Sequence, residues 1–235
     1  MVLSDNWDGE FISAENTQAL AEKLAVDVAA WLNEGIQAQG SASLVVSGGS
    51  TPAPFFKALS LHDIDWSKVT VTLADERWVP MEDSLSNEKL VRETLFVNAA
   101  AKASFLSIYN GATTPEEGWQ QCDDTLRALA RPFDVVILGM GGDGHTASLF
   151  PDTEGLDDAC NLKTDKLCWP MNPPHISEAR MSLTLAALLE CKQLVLHITG
   201  DDKRQVLQRA VAGDKLPIAS VIEAARTRLQ LYWSA

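Results

Sequence analysis

Histidine has an unperturbed pKa near neutrality, which suits it to general-base work. His145 stands two residues after Asp143, across Gly144. At that spacing a carboxylate can orient the imidazole or hold a water beside it. Asp-Gly is also a common turn, so the pair needs company before it reads as a site. His62, His175 and His197 lack a comparable setting. His197 falls inside an apolar run and is predicted to be a core or sheet-face residue.

Three other clusters could meet an anion. Ser47-Gly48-Gly49-Ser50-Thr51-Pro52 follows an apolar run. Glycines there let backbone N–H groups approach a phosphate, and Ser50 and Thr51 add hydroxyl donors or cap the next helix. The loop matches neither G-x-x-x-x-G-K nor G-x-G-x-x-G. Arg77 follows Asp75 and Glu76; it can pair with either, or meet a phosphate or a developing oxyanion through its planar fork. Lys203 follows Gly200-Asp201-Asp202 in the first turn of a predicted helix. The helix dipole disfavours a cation at that end, so an anionic partner would explain it.

The elements that must position these residues alternate. Apolar spacing predicts helices over 14–32, from Thr51-Pro52 onward, and over 86–96, 115–130 and 202–211. Short apolar runs predict strands over 43–47, 69–74, 133–138, 193–198 and 229–233. Such alternation predicts an α/β fold: a doubly wound, mostly parallel sheet with helices on both faces. The first four strands end in the clusters above. In a parallel sheet all carboxyl ends share one rim, where ligands bind. The expectation is therefore one pocket holding Thr51, Arg77, His145 and Lys203. Residues 152–174 break the rhythm and read as either a long loop or a small inserted hairpin.

The 235 residues are 46% hydrophobic and 22% charged, ordinary globular values. They are expected to form a single domain over 1–235. Net charge is −13, which argues against nucleic acid or anionic lipid as a partner. An anionic metabolite would need a local positive field set against it. Cys122, Cys160, Cys168 and Cys191 form no C-x-x-C pair and read as isolated thiols in a reducing compartment. Met1-Val2-Leu3-Ser4-Asp5-Asn6 lacks a basic and then apolar leader pattern, and no apolar run is long enough to cross a membrane. A cytoplasmic location is expected.

Taken together, the motifs resemble those of 6-phosphogluconolactonases, in the superfamily of glucosamine- and galactosamine-6-phosphate isomerases. The resemblance rests on the Ser47–Pro52 loop, Asp75-Glu76-Arg77-Trp78-Val79-Pro80, Ser86-Asn87, Arg180-Met181-Ser182-Leu183-Thr184 and Gly200-Asp201-Asp202-Lys203. Its most specific block is Gly139-Met140-Gly141-Gly142-Asp143-Gly144-His145-Thr146-Ala147-Ser148-Leu149-Phe150-Pro151. The Ser-Gly-Gly loop is shared with glucosamine-6-phosphate deaminases. Those usually carry an aromatic where Arg77 stands and lack the Thr-Ala-Ser-Leu-Phe-Pro continuation. Glu88 is a small departure, since the family often has an aromatic there.

The resemblance implies a sugar-phosphate isomerase-like fold and hydrolysis of 6-phospho-D-glucono-1,5-lactone by base-activated water. No metal or organic cofactor is implied. It places His145, Asp143, Arg77 and Asp75 in the catalytic set. Gly48, Gly49, Ser50, Thr51, Arg77, Arg180 and Lys203 become substrate and phosphate contacts. The expected partner is a phosphorylated sugar lactone, and the expected state a monomer or weak homo-oligomer. The alternatives are a deaminase–isomerase of amino sugar phosphates or a non-catalytic sugar-phosphate sensor domain. A regulator of the second kind needs a DNA-binding module for which this chain is too short and too acidic.

Overall fold

The computed structural model describes residues 7–235, so the reading of residues 1–6 as no leader lies outside it. Seven strands form one parallel sheet. They are β1 (Phe11–Ala14), β2 (Ala42–Val46), β3 (Val69–Leu73), β5 (Ser104–Phe105), β6 (Phe133–Leu138), β9 (Cys191–Thr199) and β10 (Leu229–Ser234). Their spatial order is β1-β10-β9-β6-β2-β3-β5. The chain thus steps outward from β2 through β3 to β5, then returns to the other side of β2 and steps outward again. The reversal falls between β2 and β6, where open α/β sheets place their ligand crevice.

The central strands β2 and β6 are buried at every position because helices cover both faces. Helix α1 (Thr17–Gln39) packs with α2 (Ala53–Leu59) and lies against β2 and β6. Helices α6 (Leu185–Leu189), α7 (Asp201–Val211) and α8 (Pro217–Ala225) gather near β9. Helix α1 begins where Asn16 accepts a hydrogen bond from the Ala19 amide, and runs well past the end predicted at residue 32. Its last residue, Gln39, donates to both oxygens of buried Asp134 at 3.2 and 3.1 Å. That bond to β6 anchors an extension which apolar spacing does not signal.

A second, three-stranded antiparallel sheet was not expected. It comprises β4 (Asp75–Arg77), β8 (Arg180–Leu183) and β7 (Cys168–Met171), in the order β4-β8-β7. The stretch 152–174 supplies a short helix, α5 (Leu156–Ala159), and then β7. It is therefore half of a hairpin whose other strand lies beyond it. The remaining helices, α3 (Asn87–Thr94) and α4 (Pro115–Leu126), open on Ser86 and Thr114, whose side chains accept from Lys89 and Glu117 amides. No helix among the described residues is long and apolar enough to cross a membrane.

Candidate active site

The loops after β2 and β6 are tied to each other at the switch point. Ser47 Oγ donates to the Ile137 carbonyl at 3.2 Å and accepts from the Gly139 amide at 3.3 Å. Between them opens a cavity of about 230 Å³, smaller than the clefts that hold drug-sized ligands. It is lined by Gly48, Gly49, Ser50, Thr51, Asp75, Arg77, His145, Arg180 and Lys203. These nine are all the proposed site residues but one. The remaining one, Asp143, reaches the cavity through His145.

The β6 loop holds His145 rigidly. Thr146 Oγ1 donates to the Gly139 carbonyl at 2.8 Å, and the Gly141 amide donates to the His145 carbonyl at 2.9 Å. A Cβ on Gly141 would lie 2.1 Å from His145 Cε1, so only glycine fits under the ring. The imidazole also stacks on Phe150, with ring centroids 4.0 Å apart. Asp143 Oδ1 sits 2.5 Å from His145 Nδ1 and also accepts the His145 amide at 3.1 Å. Burial pushes the Asp143 carboxyl up, but the His145 amide and imidazole outweigh it and hold the group below its ordinary value. With Nδ1 engaged, Nε2 is the ring nitrogen left to accept a proton.

Two arginines stand across the second sheet, Arg77 paired in register with Arg180. Arg77 Nη1 donates to Asn87 Oδ1 at 2.8 Å and to the Leu85 carbonyl at 2.6 Å. Neither of its acidic sequence neighbours takes its guanidinium. Glu76 instead accepts from the Asn87 and Glu88 amides and the Ser86 hydroxyl, at 2.7, 2.8 and 3.0 Å. Burial raises the Glu76 pKa despite those donors. Asp75 accepts from Ser148 Oγ at 2.5 Å and lies 3.7 Å from Arg180 Nη1. Burial and the facing Arg77 push the Arg180 pKa down, and Asp75 counters them. Arg180 also lies over Phe150, 5.1 Å from the centroid. The Nε groups of both arginines are buried with no hydrogen-bond partner among the described residues. Both guanidinium groups line the cavity, where their remaining donors can meet an anion.

The Ser-Gly-Gly loop resolves an ambiguity of the sequence. Helix α2 has no side-chain cap, so neither Ser50 nor Thr51 spends its hydroxyl on the helix. Both face the cavity instead. Lys203 Nζ, from the first turn of α7, donates to the Met140 carbonyl across the cavity wall. Three cations thus meet one lining carboxylate, a local reversal of the chain's negative charge.

A family model described as glucosamine-6-phosphate isomerases/6-phosphogluconolactonase matches residues 15–233. The chain belongs to that family. A 6-phosphogluconolactonase of Rhizobium meliloti is 46% identical over 223 residues, covering 94% of this chain and 96% of the relative. One of Mesorhizobium japonicum is 44% identical over 216 residues, covering 92% and 91%. Among solved structures, a 6-phosphogluconolactonase from Shewanella baltica aligns with a TM-score of 0.93 at 43% identity, covering 97% of this chain and 98% of that one.

Within this glucosamine-6-phosphate isomerase/6-phosphogluconolactonase fold, sequence reasoning left three polar lining residues out of the site: Ser47, Asn87 and His197. Asn87 reaches the cavity because Gly48 lacks a side chain: a Cβ there would sit 1.9 Å from Asn87 Oδ1. Its signal was present in the Ser86-Asn87 motif. His197 also lines the cavity, although the apolar run around it gave no such sign. All four cysteines are free; burial drives Cys122 and Cys191 up to about 12 and Cys160 to about 11, far from nucleophilic.

Proposed function

We propose that this chain hydrolyses 6-phospho-D-glucono-1,5-lactone to 6-phospho-D-gluconate, the lactonase step of the oxidative pentose phosphate pathway. The observation that carries the reading is the Asp143–His145 pair in one cavity with Arg77, Arg180 and Lys203. The names of relatives up to 46% identical support the same chemistry.

His145 Nε2 takes a proton from water as the oxygen attacks C1. Asp143 holds Nδ1 and favours the imidazolium that forms. The C1 carbonyl oxygen becomes an oxyanion, to which an arginine donates. Collapse breaks the bond from C1 to the ring oxygen, and that oxygen receives the proton held by His145. A lactone is an activated ester, so one base, giving about 10²–10⁴-fold, with one oxyanion donor is adequate. Gly48, Gly49, Ser50, Thr51 and Lys203 would hold the phosphate, so that binding far from the broken bond places C1 at the base. Asp75 serves by fixing Arg180. The reading treats residues 1–235 as one catalytic domain working in the cytoplasm.

A coupled assay tests it. Lactone generated in situ should yield 6-phosphogluconate faster than spontaneous ring opening allows, and glucosamine 6-phosphate should release no ammonia. Ammonia release without lactone hydrolysis would replace this reading with the deaminase one.

A further inference from the structure

Strand β9 is apolar through Leu194, Val195, Leu196 and Ile198, with one interruption. His197 is 2% exposed, and its Nε2 has no hydrogen-bond partner among the described residues. A polar atom buried that way costs stability unless something answers it. The ring is nevertheless part of the cavity lining. Its level is set by register: Leu196 pairs with Leu138, so His197 stands beside Gly139 at the strand ends. Its ring meets the Phe55 ring edge-on, with centroids 6.2 Å apart.

Two of its connections lead to the phosphate end of the cavity. Phe55 belongs to α2, which follows Ser50 and Thr51 directly. Strand β9 itself leads through Gly200 into α7 and Lys203. His197 thus adjoins α2 through Phe55 and precedes Lys203 on the same strand-to-helix connection, the two segments that carry the proposed phosphate contacts, while Gly139 beside it opens the loop of His145.

We propose that His197 is a further substrate contact, its imidazole donating a hydrogen bond to the phosphate end of the bound sugar phosphate. The identity of the ligand rests on the lactonase reading; the anion-binding role does not. Burial pushes the His197 pKa down to about 4, so near neutral pH the ring offers one N–H donor and one acceptor.

The test compares His197→Leu with wild type. The variant is expected to raise KM for the lactone about tenfold, the worth of one hydrogen bond to a charged group. The inhibition constant of inorganic phosphate should rise by a similar factor, with kcat little changed and the unfolding midpoint no lower. An unchanged KM and phosphate inhibition constant, with or without a lower midpoint, would reduce His197 to a core residue. Should the variant fail to fold, the ring nitrogen signals of His197 in ¹⁵N-labelled wild type decide. They should move on saturation with inorganic phosphate, and fixed signals overturn the proposal. Wild type that binds phosphate through His197 yet leaves the lactone intact would sink the lactonase reading alone.

Discussion

In the proposed reading Lys203 is tied down and still serves a ligand. Its Nζ donates to the Met140 carbonyl, which leaves two ammonium protons for an anion. Lys203→Ala is expected to raise KM about tenfold with little change in kcat, as follows when ground and transition states depend on the ammonium equally. Steady-state kinetics on freshly made lactone check this; an unchanged KM would remove Lys203 from the phosphate end. His197 carries a second consequence, for stability. Its folded pKa of about 4 lies below the ordinary 6.5. Between those values the unfolded chain binds a proton that the folded chain refuses. Stability therefore rises with pH across that window and is lost as pH falls through it, by the order of a few kcal/mol. Urea titrations should show His197→Leu with a flatter acid limb than wild type, whereas parallel limbs would mean that the imidazole titrates normally. At this scale the sequence was half legible. Asp143 and His145 reveal themselves because their partnership is local. Asn87 is admitted by Gly48 from a distant segment and His197 is set by the register of β9 on β6, and a lone histidine in an apolar strand looks like any core residue.

The elements explain which parts of the fold could be read in advance. Long apolar strands such as β2, β6 and β9 announce themselves, since both faces are covered. The second sheet does not. Strand β4 is only the three polar residues Asp75–Arg77, and β7 contains Pro170, which a sheet tolerates there because β7 lies at the edge. Yet this small sheet sets the register of Arg77 against Arg180, so the less legible element positions two of the cavity's three cations. The β6 loop works by the opposite means, with its own backbone bonds and a glycine under the imidazole. Gly141→Ala would force the His145 ring away from a Cβ only 2.1 Å from Cε1. Displacement of a reacting group by about 1 Å costs about 10²-fold. We expect kcat to fall by that order while circular dichroism and the unfolding midpoint stay near wild type. Undiminished kcat would show that the ring has room the geometry denies it.

Across the whole molecule, the alternation of strand and helix made the doubly wound sheet legible, and the parallel rim made one shared pocket a necessary consequence. The strand order could not be read from spacing. It places the switch point between β2 and β6, the two strands whose loops supply the Ser-Gly-Gly turn and His145. A chain of net charge −13 gathers Arg77, Arg180 and Lys203 at that point, so attraction for an anion is local to the crevice. In the proposed reading anion holding and proton transfer fall to different side chains of one cavity, and that division can be broken by one substitution. The decisive measurement is turnover by His145→Ala on fresh lactone, corrected for spontaneous opening, alongside its inhibition constant for inorganic phosphate. The account requires kcat to drop about 10²–10⁴-fold with phosphate affinity preserved. Turnover near the wild-type rate would contradict it, because the proton would then be leaving water for some other base.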